Sequence, residues 1–111
     1  MKRLMIAVLE DVPDFMVPTL VAHSVISAHL KFEGLTEYKD WLHNSFRKVV
    51  LRVNRKEFNK IEALDLPKHL GHENKTLDGL PSCIVVIPLS QDETPSVLKF
   101  ARLWKPVVVD V

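Results

Sequence analysis

Side chains able to do chemistry gather in the polar stretch between Pro67 and Pro81 and just beyond it. Glu73, Asn74, Lys75 and Thr76 set an acid, an amide, an amine and a hydroxyl in succession, and Ser82 adds a second hydroxyl at the head of an apolar run. Such groups can bind a polar ligand or pass a proton. In open α/β sheets, sites gather beyond strand ends, which sets this stretch apart from an ordinary solvated turn. His69-x-x-His72 with Glu73 has the spacing nearest to a metal ligand set, but the sequence places no third ligand, so these residues read as surface groups on a loop and no metal is assigned. His23 lies near the start of a helix, where it could meet a cleft; the ordinary alternative is a satisfied, partly buried histidine. Six residues on, His29 stands about 600° further round the helix and does not share its face. Cys83 would be a nucleophile only if exposed and activated, and at the opening of a buried strand it reads as inert. The three glycines, Gly34, Gly71 and Gly79, are isolated, which excludes a Walker loop and a dinucleotide fingerprint.

The elements that must position these residues follow from the apolar pattern. Leu4-Met-Ile-Ala-Val-Leu9 is continuously apolar, as a central strand covered on both faces requires. A helix is predicted from Val17-Pro18 to about Phe32, ahead of Gly34, because proline suits a first helical turn. Thr36 can cap a second helix, 37–46, with Tyr38, Trp41, Leu42 and Phe46 inward. Residues 48–53 read as a second strand, and Asn54 as the N-cap of a third helix carrying Phe58, Ile61, Leu64 and Leu66. A weak edge strand between Pro67 and Pro81 would precede a fully apolar strand at 83–87. Thr94-Pro95 then opens a last helix through Trp104, with Val97, Leu98, Ala101 and Trp104 on its inner face.

This order predicts an α/β chain forming one domain over 1–111, a three-layer α/β/α sandwich on a small, about four-stranded mixed sheet. The apolar tail, 106–111, is expected to pair with a sheet edge or a second subunit, since an exposed strand-forming tail invites aggregation. Hydrophobic residues make up 47% of the chain, ample for a core, and 15 Lys plus Arg against 14 Asp plus Glu give a formal charge of +1. No bulk basic field exists to hold nucleic acid regardless of sequence, so any RNA contact must be local. The apolar runs fall short of the roughly 20 residues that span a bilayer, and the apolar start reads as a strand rather than a signal peptide. One cysteine forbids an internal disulfide and fits a reducing compartment, so the expected location is the cytoplasm.

Ala22-His23-Ser24-Val25-Ile26-Ser27-Ala28 resembles the Ala-His-Ala pattern in the first helix of type 2 peptidyl-tRNA hydrolases, the archaeal and eukaryotic kind. Lys48-Val-Val-Leu-Arg-Val53 and its following helix are similar to that family's second strand and helix, and Ser82-Cys-Ile-Val-Val-Ile-Pro88 to its last strand. The resemblance covers nearly the whole chain in order and is weak residue by residue. It implies a peptidyl-tRNA hydrolase 2-like α/β/α fold, often dimeric, that hydrolyses the ester of peptidyl-tRNA without a cofactor. The family's lysine at the start of the first helix falls on Met16, its two threonines on Thr76 and Ser82, and its aspartate near 72–74, where no aspartate stands. Methionine can neither engage a phosphate nor stabilise an oxyanion, and losing such a group costs on the order of a hundred- to a thousandfold in rate.

Two readings follow. In the first, a divergent hydrolase acts on peptidyl-tRNA or a related substrate with Thr76, Ser82 and His23 around a cleft, Lys75 replacing the missing lysine, and Asp11, Asp14, Met16 and Asn74 on the substrate. In the second, a non-catalytic module keeps the fold and binds RNA, a protein partner or a second copy through the cleft or through the tail and Trp104.

Overall fold

The computed structural model describes residues 1–72 and 81–105. Strand β1 (Arg3–Leu9) leads through a 3-10 turn (Asp14–Met16) into helix α1 (Val17–Phe32). Helix α2 (Thr36–Asp40) continues as one π-turn (Trp41–Ser45) into strand β2 (Arg47–Val53). Helix α3 (Arg55–Glu62), strands β3 (Lys68–His72) and β4 (Pro81–Val86), helix α4 (Ser96–Lys99) and strand β5 (Arg102–Leu103) complete the order. The result is a mixed α/β arrangement on an open sheet in the order β3-β4-β1-β2-β5. The described sheet therefore has five strands, where the sequence predicts about four. Only β1 and β2 run parallel, with Arg3 opposite Arg47 and Leu9 opposite Val53; the remaining pairings are antiparallel.

Every residue of β1 from Leu4 to Leu9 is buried, and so is Ser82 through Leu89 along and beyond β4. Continuous apolar sequence thus lies in the sheet interior, covered on both faces. Helix α1 lies over β3 and β4, while α3 packs on β1, β2, β4 and α4. The α1 stripe that meets the sheet is Leu20, Ser24, Ala28 and Phe32, at the four-residue spacing of a single helix face. The stretch Asp14–Phe32 is long and apolar enough, at 19 residues and mean hydropathy 1.2, to cross a membrane by length and composition. The packed stripe accounts for part of that apolarity; Phe15, Ile26 and Leu30 face outward.

Asn54 caps α3 as predicted: its side chain accepts from the Glu57 amide at 2.8 Å, and Glu57 Oε1 accepts from the Asn54 amide at 3.0 Å, a complete capping box. Thr36 does not cap α2. Leu35, in extended backbone, holds the N-cap position with no side-chain bond, and Thr36 is already helical. The regular helix also stops short of Phe46, which takes the left-handed region at φ 58°. That conformation costs a residue with a Cβ about 1 kcal/mol. Stacking of Phe46 on Trp41, with ring centroids 5.4 Å apart, and the Trp41 Nε1 bond to the Arg47 carbonyl at 2.7 Å hold it.

The last helix differs most from the prediction. Pro95 occupies the N-cap position, the Thr94 hydroxyl donates to the Ser90 carbonyl at 2.7 Å, and the helix ends at Lys99. Leu98 is buried, but residues beyond Phe100 leave the helix to pair with β2: Arg102 lies opposite Arg52, and the Trp104 amide donates to the Val50 carbonyl at 2.9 Å. The free edge of β2 offers backbone partners that a further helical turn would leave unmet. The tail 106–111, expected to pair with an edge or a partner, lies outside the described residues.

Gly71 sets the distance between α1 and β3. A Cβ there would stand 2.1 Å from Ser24 Oγ, 3.0 Å from Ser24 Cβ and 3.4 Å from Cys83 Cβ. Gly71→Ala is accordingly expected to destabilise the protein by about 1–3 kcal/mol, as overpacking does. Combining it with Ser24→Ala, which removes the hydroxyl, should recover part of that loss in a denaturant titration; strict additivity would rule out the close approach as the cause.

Candidate functional site

The pairing register brings several chain segments to one end of the sheet. Val8 lies opposite Cys83, Gly71 opposite Cys83 and His72 opposite Pro81, so the ends of β1 and β3 and the start of β4 meet there. The parallel end of β2 joins them, with the Glu10 amide donating to the Val53 carbonyl at 2.8 Å. From this end the chain turns through Val12 and the 3-10 turn into the start of α1. Ends of parallel strands are where open α/β sheets place ligands.

Ser82 stands at this end but does not face solvent. It is fully buried, and its hydroxyl donates to the Gly71 carbonyl at a long 3.5 Å. Beside it Cys83 is also buried, and burial pushes its thiol up to about 12, against a smaller pull downward from the Ser24 hydroxyl. The thiol is protonated near neutrality and is no nucleophile. Ser24, Ser82, Cys83 and Gly71 thus form a small polar seam between helix and sheet, closed to substrate.

His23 is exposed on α1. It shares a neighbourhood with His69 and His72 of β3 and with Lys31, whose amine donates to the Lys68 carbonyl at 2.6 Å. Burial, then the positive potentials of Lys31, His72 and His23, lower the pKa of His69. Among the described residues, no group of three or more His, Cys, Asp or Glu side chains is placed to hold a metal ion.

Met16 ends the 3-10 turn and is half-buried against the core, its amide bonded to the Pro13 carbonyl at 2.9 Å. Asp11 is exposed. Asp14 turns to Arg52, with Nη2 and Oδ1 3.4 Å apart, rather than toward Ser82. Asn74, Lys75 and Thr76, the remaining residues singled out from sequence, and Glu73 with them, lie outside the described residues.

A group the sequence did not single out occupies the β2–β5 side of the same end. Arg52 lies over the Trp104 ring at 4.3 Å, and Arg102 pairs with Glu10 at 3.2 Å. Together with Leu103 and Lys105 these arginines line a cavity of about 410 Å³. The signal is an arginine inside an otherwise apolar strand, Val-Val-Leu-Arg-Val, but its partner Arg102 falls in a stretch whose spacing predicts a helix.

The histidine face carries a pH dependence of known sign. A histidine whose folded pKa lies below its unfolded value binds fewer protons folded than unfolded, so stability is full above the unfolded value of about 6.5 and falls as pH drops through it. The urea midpoint should therefore decline from pH 7 toward pH 5, and His69→Gln should flatten that decline. Glu93, held down to about 2 by the Ser90 backbone and side chain and by Lys2, sheds its stabilisation only as pH falls from about 4.5 toward 2, so the two windows separate. An unchanged slope in His69→Gln would refute the assignment. Comparison with protein-family models finds no match to this chain, and neither does comparison with curated proteins.

Proposed function

We propose that this chain is a divergent peptidyl-tRNA hydrolase 2-like domain, three-layered, that has kept the fold as a binding module and does not cleave peptidyl-tRNA. One observation carries the reading: the Ser82 hydroxyl, at the position of a family threonine, is fully buried and turned to the Gly71 carbonyl. An ester carbonyl must come within about 3 Å of the group that attacks or activates it, and a hydroxyl sealed between helix and sheet offers no such approach. Met16 adds to this, because a thioether at the helix start supplies neither charge nor donor to a developing oxyanion. The order strand, two helices, strand, helix, two strands and helix supports the likeness in fold, and β5 is an addition to it.

The second reading keeps hydrolysis and assigns it to Thr76 and Lys75 acting on peptidyl-tRNA in the cytoplasm. Release of peptide from diacetyl-lysyl-tRNA decides between the two. The wild-type protein is expected to release none above a protein-free control, and Ser82→Ala to behave identically. Wild-type release that falls a hundredfold or more in Lys75→Ala or Thr76→Ala would establish the hydrolase and overturn the binding reading. Met16→Lys, if it alone gains release, would show that the missing lysine is what silences the fold.

A further inference from the structure

We propose that the cavity between β2 and β5 is a binding site for a small phosphate monoester, held by Arg52, Arg102 and Lys105. The inference deepens the reading of the domain as a binder by naming its ligand chemistry, and its measurement is independent of peptide release.

Arg52 and Arg102 are direct cross-strand partners, and like charges opposite one another in a sheet repel. Lys105 adds a third cation to the same cavity. Two carboxylates answer them, Asp14 on Arg52 and Glu10 on Arg102, which leaves the group with one net positive charge. Neither pairing exhausts its guanidinium. A guanidinium carries five N–H donors, and Arg52 spends one at a long 3.4 Å. Its Nε is buried and, among the described residues, has no hydrogen-bond partner. That atom is closed to a ligand, so an incoming acceptor would meet the partly exposed remainder of the guanidinium, of which a single long bond to Asp14 is made.

The arrangement is also held in place. The Arg52 guanidinium rests on the Trp104 ring, whose own amide is tied to the Val50 carbonyl of β2, so ring and charge are fixed to the same strand. Arg102 is positioned by Glu10, which is itself anchored through its amide to the Val53 carbonyl. Two guanidinium forks with one ammonium suit a tetrahedral oxyanion, since arginine meets phosphate oxygens with paired, planar donors. The cavity volume of about 410 Å³ falls in the range of small-molecule sites, enough for a phosphate with a short organic group. Its place at the end of the parallel β1–β2 pair is where such sheets bind ligands.

Titration calorimetry with inorganic phosphate, glycerol 1-phosphate and an oligoribonucleotide lacking terminal phosphates tests the site. The wild-type protein should bind both phosphate probes saturably at pH 7.5 and severalfold more weakly at pH 5.5, because each loses most of its dianion over that range, the monoester with a second pKa near 6, while the arginines stay charged. Arg102→Gln, at an exposed position, should weaken binding tenfold or more, and Lys105→Gln severalfold. Glu10→Gln should tighten it, since it frees Arg102 from an internal competitor; a purely structural role for the Arg102–Glu10 pair would not produce this gain. Absence of saturable monoester binding, or equal binding by wild type and Arg102→Gln, would overturn the proposal. Equal or tighter binding of the oligonucleotide, without the pH dependence, would overturn the monoester assignment in favour of a nucleic-acid backbone.

Discussion

Burial of β1 on both faces is the constraint from which the rest of the architecture follows. Leu4, Ile6 and Val8 point to one side and Met5, Ala7 and Leu9 to the other, and all are within 3% of complete burial. A strand with no exposed face needs neighbours on both edges and cover on both sides, which β2, β4 and the helices supply. Because β2 runs parallel to β1, the chain must cross back over the sheet, and that crossover is α1 with α2. The start of α1 is thereby delivered to the end of β1, beside the end of β3 and the start of β4. The gathering of the β3 end, the β4 start and the helix start at one end of the sheet is thus a product of packing, before any chemistry is considered.

The same packing decides what Ser82 can do. Close approach of α1 to the sheet at Gly71 is possible because residue 24 is a serine and residue 71 has no side chain. That closeness seals the polar groups between them. Ser24, Ser82 and Cys83 are all fully buried; the Ser82 hydroxyl reaches the Gly71 carbonyl, while the Ser24 hydroxyl has no hydrogen-bond partner among the described residues. A looser helix would open the Ser82 hydroxyl to solvent; here helix and sheet close over it. Chemistry that depends on solvent-facing polar groups is left to the outer strands, where side chains are only half covered.

Elements with one dominant local signal were legible in the sequence. Unbroken apolar runs marked β1 and β4, the mostly apolar Lys48-Val-Val-Leu-Arg-Val53 marked β2, Pro18 marked the start of α1, and Asn54 with Glu57 marked the start of α3. The edges were not legible, for two different reasons. Strand β3, Lys68-His-Leu-Gly-His72, carries few apolar residues and is a strand because β4 offers it an antiparallel ladder, regular from Lys68 to Gly71 and shifted in register before His72. Residues 101–104 carry a helix-like spacing, Val97, Leu98, Ala101 and Trp104, and the open edge of β2 outweighs it by pairing with Arg102 and Leu103 and bonding the Trp104 amide. The site followed the same division: the place of Ser82 at a strand start was readable, whereas its burial depends on a glycine eleven residues earlier packing under a helix.

Near-neutral overall charge conceals an uneven distribution that only register reveals. On one flank of the sheet end, His23, His69, His72 and Lys31 lie around α1 and β3; on the other, Arg52, Arg102 and Lys105 lie around β2 and β5. The β1–α1 turn between them contributes Glu10 and Asp14, both spent on the arginine flank. Those ion pairs are partly exposed, so each adds little to stability and serves mainly to orient its guanidinium. An arginine that is oriented by a carboxylate, stacked on an indole and still short of acceptors is poised for an anion in a way that a freely rotating surface arginine is not. The proposed binding site accordingly lies where strand pairing forces like charges together, and not at the buried hydroxyl where the family resemblance would place it.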